Sequence, residues 1–81
     1  MKITVQLYAM LRDLVGSETV TLDLPEGATG SDLWDQLCQQ YPSLAPYRSI
    51  SRIARNHQFV TETEPLAPED EIALIPPVSG G

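Results

Sequence analysis

The sequence predicts a small α+β domain: a mixed sheet of about five strands with one main helix across one face. Three observations carry this. Two stretches in the first third alternate apolar with polar residues, an amphipathic helical stretch follows, and the remainder breaks into short apolar runs separated by turn residues. With 81 residues there is room for one domain and a modest core.

Residues 2–8 place Ile3, Val5 and Leu7 on one side and Thr4, Gln6 and Tyr8 on the other, the pattern of a half-buried strand. Ala9 to Val15 reads as a short helix with Met10, Leu11, Leu14 and Val15 on one face and Gly16 as its C-cap. Alternation returns from Glu18 to Leu24, with Val20, Leu22 and Leu24 inward, before a turn at Pro25-Glu26-Gly27. Thr29 and Asp32 form a capping box for the main helix, whose buried stripe is Leu33, Trp34, Leu37, Cys38 and Tyr41. Pro42 ends it, and 43–51 is expected to be an irregular connection. A third strand starts at Ile53 and runs to Asn56-His57. After a tight reversal come a short fourth strand at Phe59-Val60-Thr61, a turn through Pro65 to Asp70, and a last strand from Glu71 to Ile75. This order suggests a β-grasp, ubiquitin-like arrangement over 1–75, with the last strand central and a flexible tail over 76–81.

Charge and composition exclude several functions. The net charge of −6 disfavours nucleic acid and anionic membrane as partners. Cys38 is the only cysteine, so no internal disulfide or Cys-based zinc site can form. That usage, the absence of an apolar core after Met1-Lys2-Ile3-Thr4 and the lack of any span-length apolar run lead us to expect a cytoplasmic protein. On the buried stripe Cys38 reads as a small core residue, and His57 as a solvated turn residue. No calcium loop or glycine-rich phosphate loop occurs, so neither a metal nor a permanently bound cofactor is expected. No Lys or Arg follows Arg55, whereas Glu62, Glu64, Glu69, Asp70 and Glu71 do. That acidic stretch reads either as a solvated face or as a surface that steers the chain toward a basic partner.

The candidate chemistry lies in Pro76-Pro77-Val78-Ser79-Gly80-Gly81. Two prolines favour an extended exit, and residues without Cβ can enter a tunnel closed to any other. Fully extended, the stretch spans up to about 20 Å. A C-terminal carboxylate is a poor acyl donor until adenylation with ATP makes it a mixed anhydride open to sulfur or nitrogen nucleophiles.

The stretch Leu7-Tyr8-Ala9-Met10-Leu11-Arg12-Asp13-Leu14-Val15-Gly16 resembles the first strand and helix of the small subunit of molybdopterin synthase (MoaD type). Ala54-Arg55-Asn56, Pro65-Leu66, Asp70-Glu71 and the ending Ile75-Pro76-Pro77-Val78-Ser79-Gly80-Gly81 resemble that family in order and spacing, and residues about 40–52 do so weakly. Arg55 stands where members often carry a small apolar residue, which bears on that strand's outer face. The resemblance implies a non-catalytic, sulfur-donating subunit. An E1-like adenylyltransferase would use ATP to adenylate Gly81, and a sulfur donor protein would convert the acyl-adenylate to a thiocarboxylate. The tail would then enter the large subunit, in a heterotetramer, and pass its sulfur to the cyclic pyranopterin precursor. By position in the family pattern, Tyr8, Phe59 and Ile75 would form the docking patch, Pro76, Pro77, Val78 and Ser79 the approach, and Gly80 and Gly81 the part inside the partner. The residues leave open a carrier for thiamine or tRNA thiolation, a ubiquitin-like modifier joined through Gly81 to lysines, and a plain interaction module.

Overall fold

The structure, a computed structural model, describes residues 1–77, so the expectations placed on Val78, Ser79, Gly80 and Gly81 lie outside the described residues. Alternating side chains make β1 (Lys2–Leu7) and β2 (Thr19–Asp23) into an antiparallel pair whose inward residues are all buried. Between them α1 (Ala9–Val15) ends at Gly16, whose φ of 85° is left-handed and whose N–H donates to Arg12 O at 2.8 Å. Only Leu11 of the expected apolar face is fully buried: Met10 and Val15 are half-buried and Leu14 is exposed. Two helical turns offer the core little more than one position.

The main helix α2 (Gly30–Gln40) starts on the expected capping box. Thr29 N–H donates to Asp32 Oδ2 at 2.9 Å, and Asp32 N–H donates to Thr29 Oγ1 at 3.4 Å. Leu33, Trp34 and Leu37 are wholly buried and share one cluster with Ile3, Val5, Leu22, Ile53, Ile72 and Leu74. Cys38 and Tyr41 pack half-buried at its margin. Where an irregular connection was expected, Pro42–Tyr47 forms a 3₁₀ helix. Pro42 supplies the first φ, Leu44 N–H donates to Tyr41 O at 2.9 Å, and the wholly buried Leu44 anchors the turn. Arg48 then ties it to α2, donating to Asp35 Oδ1 at 2.6 Å, Ser31 Oγ at 3.0 Å and Glu62 Oε1 at 2.9 Å. These hydrogen bonds, to Glu62 and then to Asp35, hold the Arg48 guanidinium still more firmly protonated than usual.

Strands β3 (Arg52–Arg55), β4 (Gln58–Val60) and β5 (Ile72–Ile75) complete a five-stranded sheet ordered β2-β1-β5-β3-β4. The last strand is central, as expected. It runs parallel to β1, with Leu7 opposite Leu74, and antiparallel to β3, with Ile53 opposite Leu74. The third strand stops at Arg55 rather than running on. Asn56 and His57 are themselves the reversal, at φ of 53° and 70°, the left-handed pair that a two-residue hairpin loop requires. Alternation puts Arg55 on the same side as Ile53, so it does not shape the outer face. Its Nη1 donates to Pro65 O at 2.9 Å.

The N-terminus of α2 abuts the 61–64 loop, with Ser31 N–H donating to Glu62 O at 2.8 Å. A Cβ on Gly30 would lie 2.6 Å from Ile53 Cδ1 and 3.1 Å from Glu62 Cα. Helix propensity favours alanine by up to about 1 kcal/mol, but overpacking against a fixed backbone costs about 1–3 kcal/mol. Gly30→Ala is therefore expected to lower stability by about 1–2 kcal/mol in urea unfolding; unchanged or raised stability would refute this packing account.

Candidate functional site

One helix-free face of the sheet carries the candidate site. A row of paired residues crosses it: Gln6 on β1, Ala73 on β5, Ala54 on β3 and Phe59 on β4. The two alanines make a low floor. Tyr8, Phe59 and Ile75 stand around it, lining a depression of about 230 Å³. Tyr8 is 46% and Phe59 53% exposed, so neither is a core residue, and Ile75 is half-buried. Three of the residues expected to act together are thus brought together, beside the end of β5. Beyond Ile75, Pro76 is buried and Pro77 exposed.

Local structure holds these side chains in place. Tyr8 is extended and follows β1 directly, whereas Ala9 turns the chain at a φ of 50°. A left-handed alanine costs about 1–2 kcal/mol, and here it accompanies the switch from strand to helix. The Tyr8 hydroxyl donates to Gln6 Oε1 at 2.9 Å. Arg52, opposite Ile75, stacks on Phe59 with its guanidinium carbon 3.8 Å from the ring centroid; such a contact contributes about 0.5–1 kcal/mol at an exposed site. At the far rim His57 Nε2 lies 2.7 Å from Glu71 Oε2. Asn56 clamps that rim: its Nδ2 donates to Asp70 Oδ1 at 3.1 Å, and Glu71 N–H donates to its Oδ1 at 2.9 Å.

Sequence reasoning missed Ala54, Ala73 and Arg52. A signal for Ala73 existed in Ile72-Ala73-Leu74, where a small residue stands between two wholly buried ones and so marks a low point on the opposite face. The acidic stretch is partly tied into the fold. Glu62 pairs with Arg48, Glu64 with Arg55 and Glu71 with His57, and Asp70 accepts from Asn56 and Ala67. Two of its five carboxylates, Glu62 and Glu64, are thus offset by arginines, whereas the donors to Asp70 are neutral and leave its charge in place, so the stretch stays net acidic.

Among the described residues, no group of three or more His, Cys, Asp or Glu converges as metal ligands, and no helix is long and apolar enough to cross a membrane. Burial pushes the Cys38 thiol up, Arg48 opposes this in part, and Asp35 adds to the rise.

The mixed sheet, the helix across one face and the central last strand define a ubiquitin-like β-grasp domain. The chain belongs to the ThiS family, whose model matches residues 5–81. It is similar to the molybdopterin synthase sulfur carrier subunit of Arabidopsis thaliana, 39% identical over 80 residues that cover 99% of this chain and 83% of the relative. It is also similar to the small archaeal modifier protein 1 of Haloferax volcanii, 36% identical over 85 residues that cover 94% of this chain and 97% of the relative. The crystal structure of SAMP1 from Haloferax volcanii superposes with a TM-score of 0.88 at 32% identity, covering 100% of both chains. The resemblance read from the sequence, to the small subunit of molybdopterin synthase, is borne out.

Because its thiol is half-buried and its pKa is raised, Cys38 is expected to react with a disulfide reagent at least about tenfold more slowly in the native chain than in denaturant. Equal rates would show a reactive thiol.

Proposed function

We propose that this chain is a cytoplasmic sulfur carrier for molybdenum cofactor biosynthesis. The observation that carries the reading is an exposed apolar patch, Tyr8, Phe59 and Ile75, set beside the strand that leads into Pro76-Pro77-Val78-Ser79-Gly80-Gly81. Its likeness to molybdopterin synthase sulfur carrier subunits supports the choice of pathway. The patch would dock on the large subunit of the synthase while the tail enters that subunit's active site.

The chemistry resides at Gly81. Its carboxylate attacks the α-phosphorus of ATP on an E1-like adenylyltransferase, forming the acyl-adenylate and releasing pyrophosphate. The outer sulfur of a donor protein's persulfide then attacks the acyl carbon and expels AMP, and a thiol attacks the donor-side sulfur of the resulting acyl disulfide, releasing the thiocarboxylate and leaving the donor in a disulfide with that thiol. In the large subunit the thiocarboxylate sulfur would bond to an electrophilic carbon of the pyranopterin precursor with loss of an oxygen leaving group, and water would then cleave the thioester at the acyl carbon, leaving a thiolate on the precursor and returning the Gly81 carboxylate. Glycines at the last two positions let a partner's backbone close around the reacting carbon. This chain would contribute the sulfur and the docking face, and the large subunit the catalytic groups.

A second reading is a protein modifier joined through Gly81 to lysines, favoured by the likeness to the small archaeal modifier protein 1. Intact mass of the chain from its own host separates the two. Exchange of one oxygen for one sulfur at Gly81 is expected of the carrier; isopeptide adducts without that exchange would establish the modifier instead. One residue added after Gly81 is expected to abolish sulfur transfer and leave the fold intact.

The alanine floor gives a further expectation. Ala73→Leu raises the depression's centre into open space, so the melting temperature should stay within about 3 °C while the Kd for the large subunit rises at least about tenfold. Unchanged affinity would remove this depression from the docking face.

A further inference from the structure

Arg52 occupies the outer face of β3 opposite Ile75, and its guanidinium lies on the Phe59 ring. A stacked guanidinium uses its flat side, and its five N–H donors leave through the edge of the plane. The other basic side chains all have acidic partners: Lys2 with Asp23, Arg12 with Asp13, Arg48 with Asp35 and Glu62, and Arg55 with Glu64. Among the described residues Arg52 has none, so the apolar patch carries a positive charge although the chain is −6 overall. A partner that covers Phe59 also strips water from the edge of Arg52. Those donors then need acceptors, and a carboxylate satisfies two of them at once while matching the charge.

We propose that Arg52 sets the specificity of this docking face: it holds the Phe59 ring by stacking on it, and its edge pairs with a carboxylate bordering the apolar socket that receives Phe59 on the partner. The proposal rests on the carrier reading, with the large subunit of molybdopterin synthase as that partner. Arg52 is a positioning and recognition residue with no part in the chemistry at Gly81.

The test titrates the full-length chain against purified large subunit at low and high salt, comparing wild type with Arg52→Met, Arg52→Glu and Phe59→Ala. Methionine keeps an apolar contact with the ring and removes the charge. Arg52→Met is expected to weaken binding at low salt by at least about tenfold and to flatten its salt dependence, and Arg52→Glu to weaken it further. If Phe59→Ala weakens binding but Arg52→Met does not, the Arg52 proposal is overturned and the carrier reading stands. The same holds even if Arg52→Glu binds poorly, because repulsion alone would explain the loss. If the wild-type chain does not bind the large subunit, the carrier reading fails and takes this proposal with it. Stacking has a readout that needs no partner: the Arg52 side-chain protons of the free wild-type chain should be shifted upfield by the ring and relax toward ordinary values in Phe59→Leu. Unshifted protons in the wild type would overturn the positioning half.

Discussion

Insertion of β5 between β1 and β3 is the constraint on which the rest of this molecule depends. A strand laid into the middle of a sheet must satisfy hydrogen bonds on both edges. Ile72 and Leu74 are wholly buried on the helix side, while the small Ala73 lies low on the outer face between Gln6 and Ala54. Because its pairing with β1 is parallel, both strands end at the same edge of the sheet, which sets Tyr8 beside Ile75. Because its pairing with β3 is antiparallel, the β3–β4 hairpin brings Arg52 and Phe59 to the same place. Residues from three separate parts of the chain thus converge where β5 ends. Proline at 76 cannot donate to a ladder, so its chemistry fits a strand that stops at Ile75.

What the sequence made legible was local. Alternation identified β1 and β2, the Thr29–Asp32 capping box located the start of α2 to within a residue, and Gly16 marked the end of α1. The 3₁₀ helix at Pro42–Tyr47 was not visible, because one buried leucine between prolines leaves no periodic signal. The apolar stripe assigned to α1 was too wide, since the core accepts Leu11 and leaves Leu14 to solvent. Of the site, Tyr8, Phe59 and Ile75 were named through a family resemblance, not through their periodicity. The alanine floor and the Arg52 stacking depend on strand order and register, which are long-range facts.

Charge tells a similar story. Read along the chain, the residues after Arg55 look like a surface of one sign. In space, arginines from elsewhere reach them: Arg48 bridges the 3₁₀ turn, α2 and Glu62, and Arg55 reaches Glu64 and Pro65. Arg48 takes acceptors from two other segments, α2 and the 61–64 loop, so it fixes the path of the connection that carries it. Asn56 does the corresponding work at the opposite end of β3, joining the hairpin turn to the Asp70-Glu71 turn through both ends of its amide. The Asn56 and Asp70-Glu71 positions therefore have a structural reason to occur together, independent of any partner.

The size of the outer-face depression bears on what can occupy it. Small-molecule sites usually offer about 300–1,000 Å³ and enclose most of their ligand. Here the floor is two methyl groups, the volume is about 230 Å³, and the walls are the exposed flanks of Tyr8 and Phe59. A metabolite would remain mostly in water, whereas one or two side chains projecting from a flat protein surface would fill it. Larger floor residues would close the depression without adding to the core, because the helix side is already filled by Leu7, Ile53, Ile72 and Leu74. Alanine at 54 and 73 is therefore better explained by what the outer face must admit than by what the fold requires.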